Sequence, residues 1–158
     1  MITQWLVNGL IQAGLLVVVA WALSRWIREV VGRALLAFVL WGAALMYVYF
    51  AAKAGQGAGW LTAELLGVAV FGGLGLLGLL RSPMWLAVGW GLHPAWDLAL
   101  HYFGPGHAFA PEPIAVACLS FDLVVAAYIV VDYHFGLGGR RSSGRRSAVA
   151  GISRSLVS

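Results

Sequence analysis

The sequence has little charge and almost no cysteine. Of its 158 residues, only 10% are charged and 61% are hydrophobic, whereas soluble domains carry about 25% charged residues. A water-soluble fold of this size could not cover so much apolar surface, so the composition predicts an integral membrane protein. The single cysteine, Cys118, excludes an intramolecular disulfide.

Several cofactor sites are excluded as well. No lysine falls within a predicted membrane span, which excludes a retinal-type Schiff base. The two deep histidines share one span, so a haem held between histidines of two facing helices is excluded. The many glycines of the third hydrophobic segment lack the lysine of a phosphate-binding loop. We expect them to allow close helix packing, including formation of a homo-oligomer through this glycine-rich helix 3.

Five hydrophobic segments follow one another along the chain. They cover residues 5–23, 34–52, 61–80, 83–103 and 114–131, and about 20 apolar residues are enough for a helix to cross the bilayer core. The predicted fold is all-α: a polytopic bundle of five transmembrane helices within residues 1–135. Residues 136–158, which are rich in Gly, Ser and Arg, are predicted to form a basic, disordered tail.

Basic residues fall on one side of this five-span arrangement. Nine of the ten lysines and arginines lie there, and only Lys53 lies on the other side. By the positive-inside rule, the N-terminus is outside and the C-terminal tail is cytoplasmic, in a multi-pass protein of the plasma (inner) membrane. The tail arginines are expected to meet membrane lipids, and no nucleic-acid partner is expected because no folded basic domain is present.

Ionisable residues occur at intervals of four in the fourth segment: His93, Asp97 and His101. Steps of four keep them on one face of a helix. Ionisable groups at membrane depth cost about 2.5–3.5 kcal/mol each and mark function by default. Counting about 1.5 Å per residue puts them at one depth with Glu64 and Asp122, in the outer half of the bilayer. The second segment contributes no ionisable group to this layer, which predicts one pocket opening towards the outer face.

A divalent cation would neutralise such a pocket. A histidine and a carboxylate four residues apart on a helix can both reach an ion at about 2.0–2.2 Å. Pro94 removes a backbone N–H and is expected to bend the helix within the site. We therefore predict zinc or another divalent transition metal. Its predicted ligands are His93, Asp97, His101 and Asp122, of which two or three come from the fourth segment, with Glu64 as an alternative to Asp122.

Three functions are consistent with this pattern. The first is a metal-dependent intramembrane hydrolase that acts on a lipid or amphipathic substrate, with Glu64 as the general base that activates a metal-bound water. The second is proton or cation transport, although the inner half of the bundle offers no polar continuation of a path. The third is a non-catalytic membrane subunit, in which Asp97 only forms hydrogen bonds with the flanking histidines.

The segment 89–97 reads Gly-Trp-Gly-Leu-His-Pro-Ala-Trp-Asp, and His101, the run 109–111 (Phe-Ala-Pro), Cys118 and Asp122 follow it. Together they resemble a family of small bacterial integral membrane proteins of unknown function, with HxxWDxxxH as the most specific part. That resemblance implies a multi-helix membrane fold up to about Phe135 and no activity. More remotely, the deep His and Asp residues are similar to the membrane hydrolases that include alkaline ceramidases. This implies zinc bound between helices, although that group is expected to have seven spans and an HxxxH pair.

Overall fold

The computed structural model describes residues 1–136, and this part of the chain is all-helical apart from short connections. It contains five α-helices: α1 (Ile2–Trp26), α2 (Glu29–Lys53), α3 (Ala58–Leu80), α4 (Pro83–Asp97) and α5 (Glu112–Phe135). The predicted tail lies outside the described residues, except for Gly136, whose left-handed backbone ends α5.

Four helices, α1, α2, α3 and α5, are long and apolar enough to cross a membrane, as expected for a multi-pass membrane protein. Helix α4 has only 15 residues, but it continues directly into a π-helical segment, Leu98–Tyr102. Helix and segment together cover most of the fourth predicted span. The predicted five-helix bundle is therefore present. The fourth of its helices differs from the other four because it ends in a π-helical segment.

The shape of α4 follows from its two prolines. Pro83 occupies the first turn, where a missing N–H costs nothing, and the Ser82 hydroxyl accepts the Met84 N–H at 3.3 Å. Pro94 lies inside the helix and cannot donate to the carbonyl one turn earlier. The regular helix ends at Asp97, one turn after Pro94, and widens into the π-helical segment.

The helices form a closed ring. Helix α1 packs against α2 and α5, α3 packs against α2 and α4, and α4 packs against α5. At the α1–α5 junction the Ser120 hydroxyl donates to the Leu6 carbonyl at 2.8 Å, and a Cβ at Gly9 would clash with the Ala117 carbonyl. Helix α5 therefore closes the bundle against the first helix.

Three glycines of α3 let neighbouring helices approach closely. A Cβ at Gly67, Gly75 or Gly78 would meet a side chain of α2 or α4 within about van der Waals contact or closer. By contrast, a Cβ at Gly72 or Gly73 would meet open space. The expected close packing thus occurs within one chain, and assembly of copies through α3 stays a prediction.

The core differs between the two ends of the helix bundle. In the half that contains the α1–α2 connection, called here the apolar half, the buried side chains are hydrophobic; they include Ala20, Leu36, Leu86 and Ile129. The half that extends from the bundle centre to the N-terminus of α1 is called the polar half. It contains all the buried carboxylates and histidines among residues 1–136: Glu64, His93, Asp97, His101 and Asp122.

Candidate metal centre

The structure places the five predicted site residues in the polar half, and all five are buried. Glu64 is 2% exposed and the other four are 0% exposed. They come from α3 (Glu64), α4 (His93 and Asp97), the π-helical segment (His101) and α5 (Asp122). Since burial removes water from these polar groups, each needs a partner within the protein or a ligand.

His93, Asp97 and Asp122 form a compact group, the His-Asp-Asp triad. Each offers one ligand atom, and these atoms all lie within 4.8 Å of one another. His93 Nδ1 lies 2.9 Å from Asp122 Oδ2 and 3.5 Å from Asp97 Oδ2. Ligands on a tetrahedral zinc at 2.0–2.2 Å stand about 3.4 Å apart. The triad is therefore spaced to hold a metal ion with small side-chain adjustments.

Unpaired polar atoms surround the triad. Both carboxylate oxygens of Asp97, Oδ1 of Asp122 and Nε2 of His93 are buried without a hydrogen-bond partner. Native proteins leave few such atoms, and each calls for an explanation such as an ion or water. A cation on the triad would give several of these atoms a partner.

The charge of the triad also favours a bound cation. Two carboxylates share one imidazole in a fully buried site. Among residues 1–136, no lysine or arginine is buried beside them. Buried charge without compensation costs several kcal/mol per ion. A divalent cation would compensate both carboxylates.

His101 lies outside the triad. The π-helical segment that carries it turns its ring towards Glu64, with Nε2 3.5 Å from Oε1. The ring also stacks on Tyr47, with centroids 3.9 Å apart and planes inclined by 6°. Of the four predicted ligands, the structure therefore offers three to one ion and places the fourth in a separate pair with the predicted general base.

Tyr47 is a member of the site that sequence reasoning missed, because α2 was expected to contribute no ionisable group. Its side chain is 1% exposed, and its hydroxyl lies near the carboxylate of Asp97 without forming a hydrogen bond of regular geometry. Ala44 and Ala51, three residues before and four after Tyr47, lie on the same inward face of α2 in the structure, but the alanines at positions 43 and 52 leave that face ambiguous in the sequence.

Aromatic rings hold the histidines in place. Phe71 meets His93 edge to face, with centroids 4.8 Å apart, and a Cβ at Gly67 would touch the ring of Trp96 beside them. The turn Pro105–Ala108 covers His101, because a Cβ at Gly106 would come within 2.7 Å of His101 Nδ1. The imidazoles therefore have little freedom to leave the positions described.

A groove reaches the triad from one side. It lies between α1, α2 and α5, has a volume of about 600 Å³ and is mostly apolar, with Asp122 in its wall. On the other side, the space between Tyr47, Glu64 and His93 has no room for a water molecule. Asp122 is therefore the triad residue that lies nearest to the groove, although its side chain is buried.

Comparison with known proteins gives a family without a function. Residues 8–135 match the sequence model of a family described as a family of unknown function, DUF6010. No curated protein and no solved structure matches the chain. The expected membership of a family of unknown function is confirmed. The similarity to alkaline ceramidases and the HxxWDxxxH spacing as a family mark have no support.

Proposed function

The chain belongs to the DUF6010 family of unknown function, and from the site itself we propose that it is a metal-dependent intramembrane hydrolase. Its substrate would be a lipid or another amphipathic molecule. The observation that carries the proposal is the His-Asp-Asp triad, three buried ligand atoms within 4.8 Å of one another beside unpaired carboxylate oxygens. Zinc or another divalent transition metal is the proposed cofactor.

Three protein ligands are typical of a catalytic rather than a structural zinc site. When bound, such an ion polarises a carbonyl and makes a bound water acidic enough to attack it. Asp122 is the triad residue in the wall of the groove, but its side chain is closed to solvent in the structure. A scissile carbonyl in the groove would therefore reach the ion only after side chains move there. Glu64 stays the proposed general base. It pairs with His101 on the α3 side of the triad, where the structure has no room for a water molecule. The site would therefore have to open on this side before Glu64 could accept the proton of an attacking water.

The predicted orientation places this reaction at the outer leaflet. The polar half contains the N-terminus of α1, which the positive-inside rule puts outside the plasma (inner) membrane. An apolar groove at that depth favours a substrate that is already dissolved in the lipid.

The first test combines metal content with hydrolysis. Wild type, His93→Ala and Glu64→Gln would be purified in mild detergent without chelator, analysed for bound metals, and assayed on ester- and amide-linked lipids. We expect about one zinc per wild-type chain, metal loss in His93→Ala, and metal retention in Glu64→Gln. In Glu64→Gln hydrolysis should fall about 100-fold or more.

The exposed His134 at the far end of α5 provides a matched control. His134→Ala should keep both metal and activity. A folded wild type that binds no added zinc would remove the basis of the proposal. Metal binding without hydrolysis of any lipid would keep the metal centre and reject the hydrolase.

A second candidate is proton or cation handling. It is favoured by the succession of buried titratable groups from Glu64 and His101 through Tyr47 to the triad. The hydrophobic core of the apolar half argues against a continuous path across the membrane. Proton or zinc uptake into proteoliposomes that is lost in Asp97→Asn would favour transport over hydrolysis.

A further inference from the structure

The groove differs from the rest of the outer surface of the bundle because it contains amides at membrane depth. Asn8 and Gln12 lie about two and three turns into α1, one helical turn apart. Both are exposed on the bundle surface and both line the groove. A polar side chain within a membrane span is costly when it faces hydrocarbon. Their shared position on the groove indicates a ligand that carries hydrogen-bonding groups.

The rest of the groove is apolar. Helix α2 contributes one face, made by Phe38, Val39, Gly42, Ala43 and Met46. These residues recur at intervals of three and four and therefore form a stripe along the helix. The opposite wall belongs to α5 and leads to Cys118 and Asp122. The groove therefore combines a long apolar wall, two amides and one carboxylate of the triad.

The groove opens sideways because α1 and α2 separate along their length. At the end joined by Ile27 and Arg28 the two helices touch, since a Cβ at Gly32 would clash with Ser24 and the Ala20 carbonyl. Towards the polar half, space appears between them. A molecule in the surrounding lipid would enter the groove through this lateral opening without crossing water.

The volume limits what can occupy the groove. About 600 Å³ falls within the range of small-molecule sites, roughly 300–1,000 Å³. A helix about 10 Å across would fill it with only about one and a half turns, far less than a membrane-spanning helix of a second copy. A hydrocarbon chain is narrow enough to lie along the α2 stripe. We therefore infer that the groove is a lateral binding site for one acyl chain of a membrane lipid.

In this arrangement the carbonyl linkage of the lipid lies near Asp122, and its polar group meets Asn8 and Gln12. The inference deepens the proposed function and rests on it for the meaning of the bound carbonyl. Binding itself needs no metal chemistry. Binding and hydrolysis can therefore fail separately.

Gly42 allows the groove to be filled without disturbing the fold. It is exposed, lines the groove, and a Cβ there would meet nothing within 4 Å. Gly73 of α3 is equally exposed and equally open but lies away from the groove. Gly42→Leu and Gly73→Leu are therefore a matched pair that adds the same side chain inside and outside the proposed site.

The test uses phosphatidylcholine liposomes that contain lysophosphatidylcholine with a diazirine on its acyl chain. After illumination, the crosslinked residues of the full chain would be mapped by mass spectrometry. We expect crosslinks to concentrate on the groove faces of α1, α2 and α5, to fall about tenfold or more in Gly42→Leu, and to be unchanged in Gly73→Leu.

Even labelling of all lipid-facing residues, or equal groove labelling in both variants, would overturn the inference. A change of oligomeric state in Gly42→Leu with no groove labelling in wild type would assign the groove to a second copy and also overturn it. The zinc content of Gly42→Leu and Gly73→Leu is measured as well, so that a loss of lipid labelling can be distinguished from a loss of the metal site. Specific groove labelling without hydrolysis keeps the lipid site and rejects the hydrolase, whereas hydrolysis without groove labelling does the reverse.

Discussion

Both halves of the bundle pack closely through small residues, but the polar half also buries carboxylates and imidazoles, several of whose polar atoms have no hydrogen-bond partner. In the apolar half a Cβ at Gly78 would meet Leu86 at 2.6 Å. In the polar half the oxygens of Asp97 make no hydrogen bond. Tight apolar packing stabilises a membrane bundle, but unpaired buried charge does not. We infer that the five helices pack along their whole length and concentrate their chemistry at one end.

The largest expected effect comes from removing a triad carboxylate. Asp122→Asn keeps the side-chain volume but removes a ligand and a charge, so zinc affinity should fall more than about 100-fold, or about 2.7 kcal/mol. The matched control is Asp132→Asn, ten residues further along α5 at the apolar end. Competition with a chromophoric chelator measures both. Equal loss of affinity in the two variants would contradict the division between the halves.

A smaller effect, on stability, is expected from overpacking the apolar half. Gly78→Leu forces a side chain against Leu86, which should lower the free energy of unfolding by about 1–3 kcal/mol. Gly73→Leu, one helix face away with open space at its Cβ, should change it little. Thermal unfolding in detergent distinguishes them. Zinc affinity of folded Gly78→Leu should match wild type, and a parallel loss of affinity would show that the halves are coupled.

The smallest effect is expected at His101. Because this residue faces Glu64 and Tyr47 rather than the triad, His101→Gln should change zinc affinity by less than about threefold, or about 0.7 kcal/mol. The same chelator competition measures it. A loss as large as that of Asp122→Asn would return His101 to the ligand set predicted from spacing alone.

The helical class and the shared depth of the site residues along the bundle could be predicted from the sequence for a simple reason. Lipid forces long apolar helices, and helical periodicity fixes which residues share a face. Asp97, Asp122 and Glu64 could therefore be placed at one depth without knowledge of packing. The separation of His101 from the other three predicted ligands could not be predicted in this way. It depends on the π-helical segment after Pro94, which redirects His101.

The contribution of Tyr47 from α2 and the presence of the groove could not be predicted from the sequence, because both depend on contacts between helices. Tyr47 carries no charge that would attract attention in a sequence, and its role is visible only because its ring stacks on His101. The groove exists because α1 and α2 touch at Gly32 and separate beyond it. Rotation and separation of neighbouring helices are set by side-chain packing, which composition and periodicity do not specify.

The closure of the ring by α5 has a consequence for biogenesis. Helix α5 leaves the ribosome after the other four, and it carries both Asp122 and the surface that receives Gly9 of α1. Until α5 inserts, His93 and Asp97 lack the third residue of the triad, and α1 lacks its packing surface on α5. A nascent chain that stalls before α5 therefore cannot complete the triad, and its α1 is left with α2 as the one helix it packs against among those described.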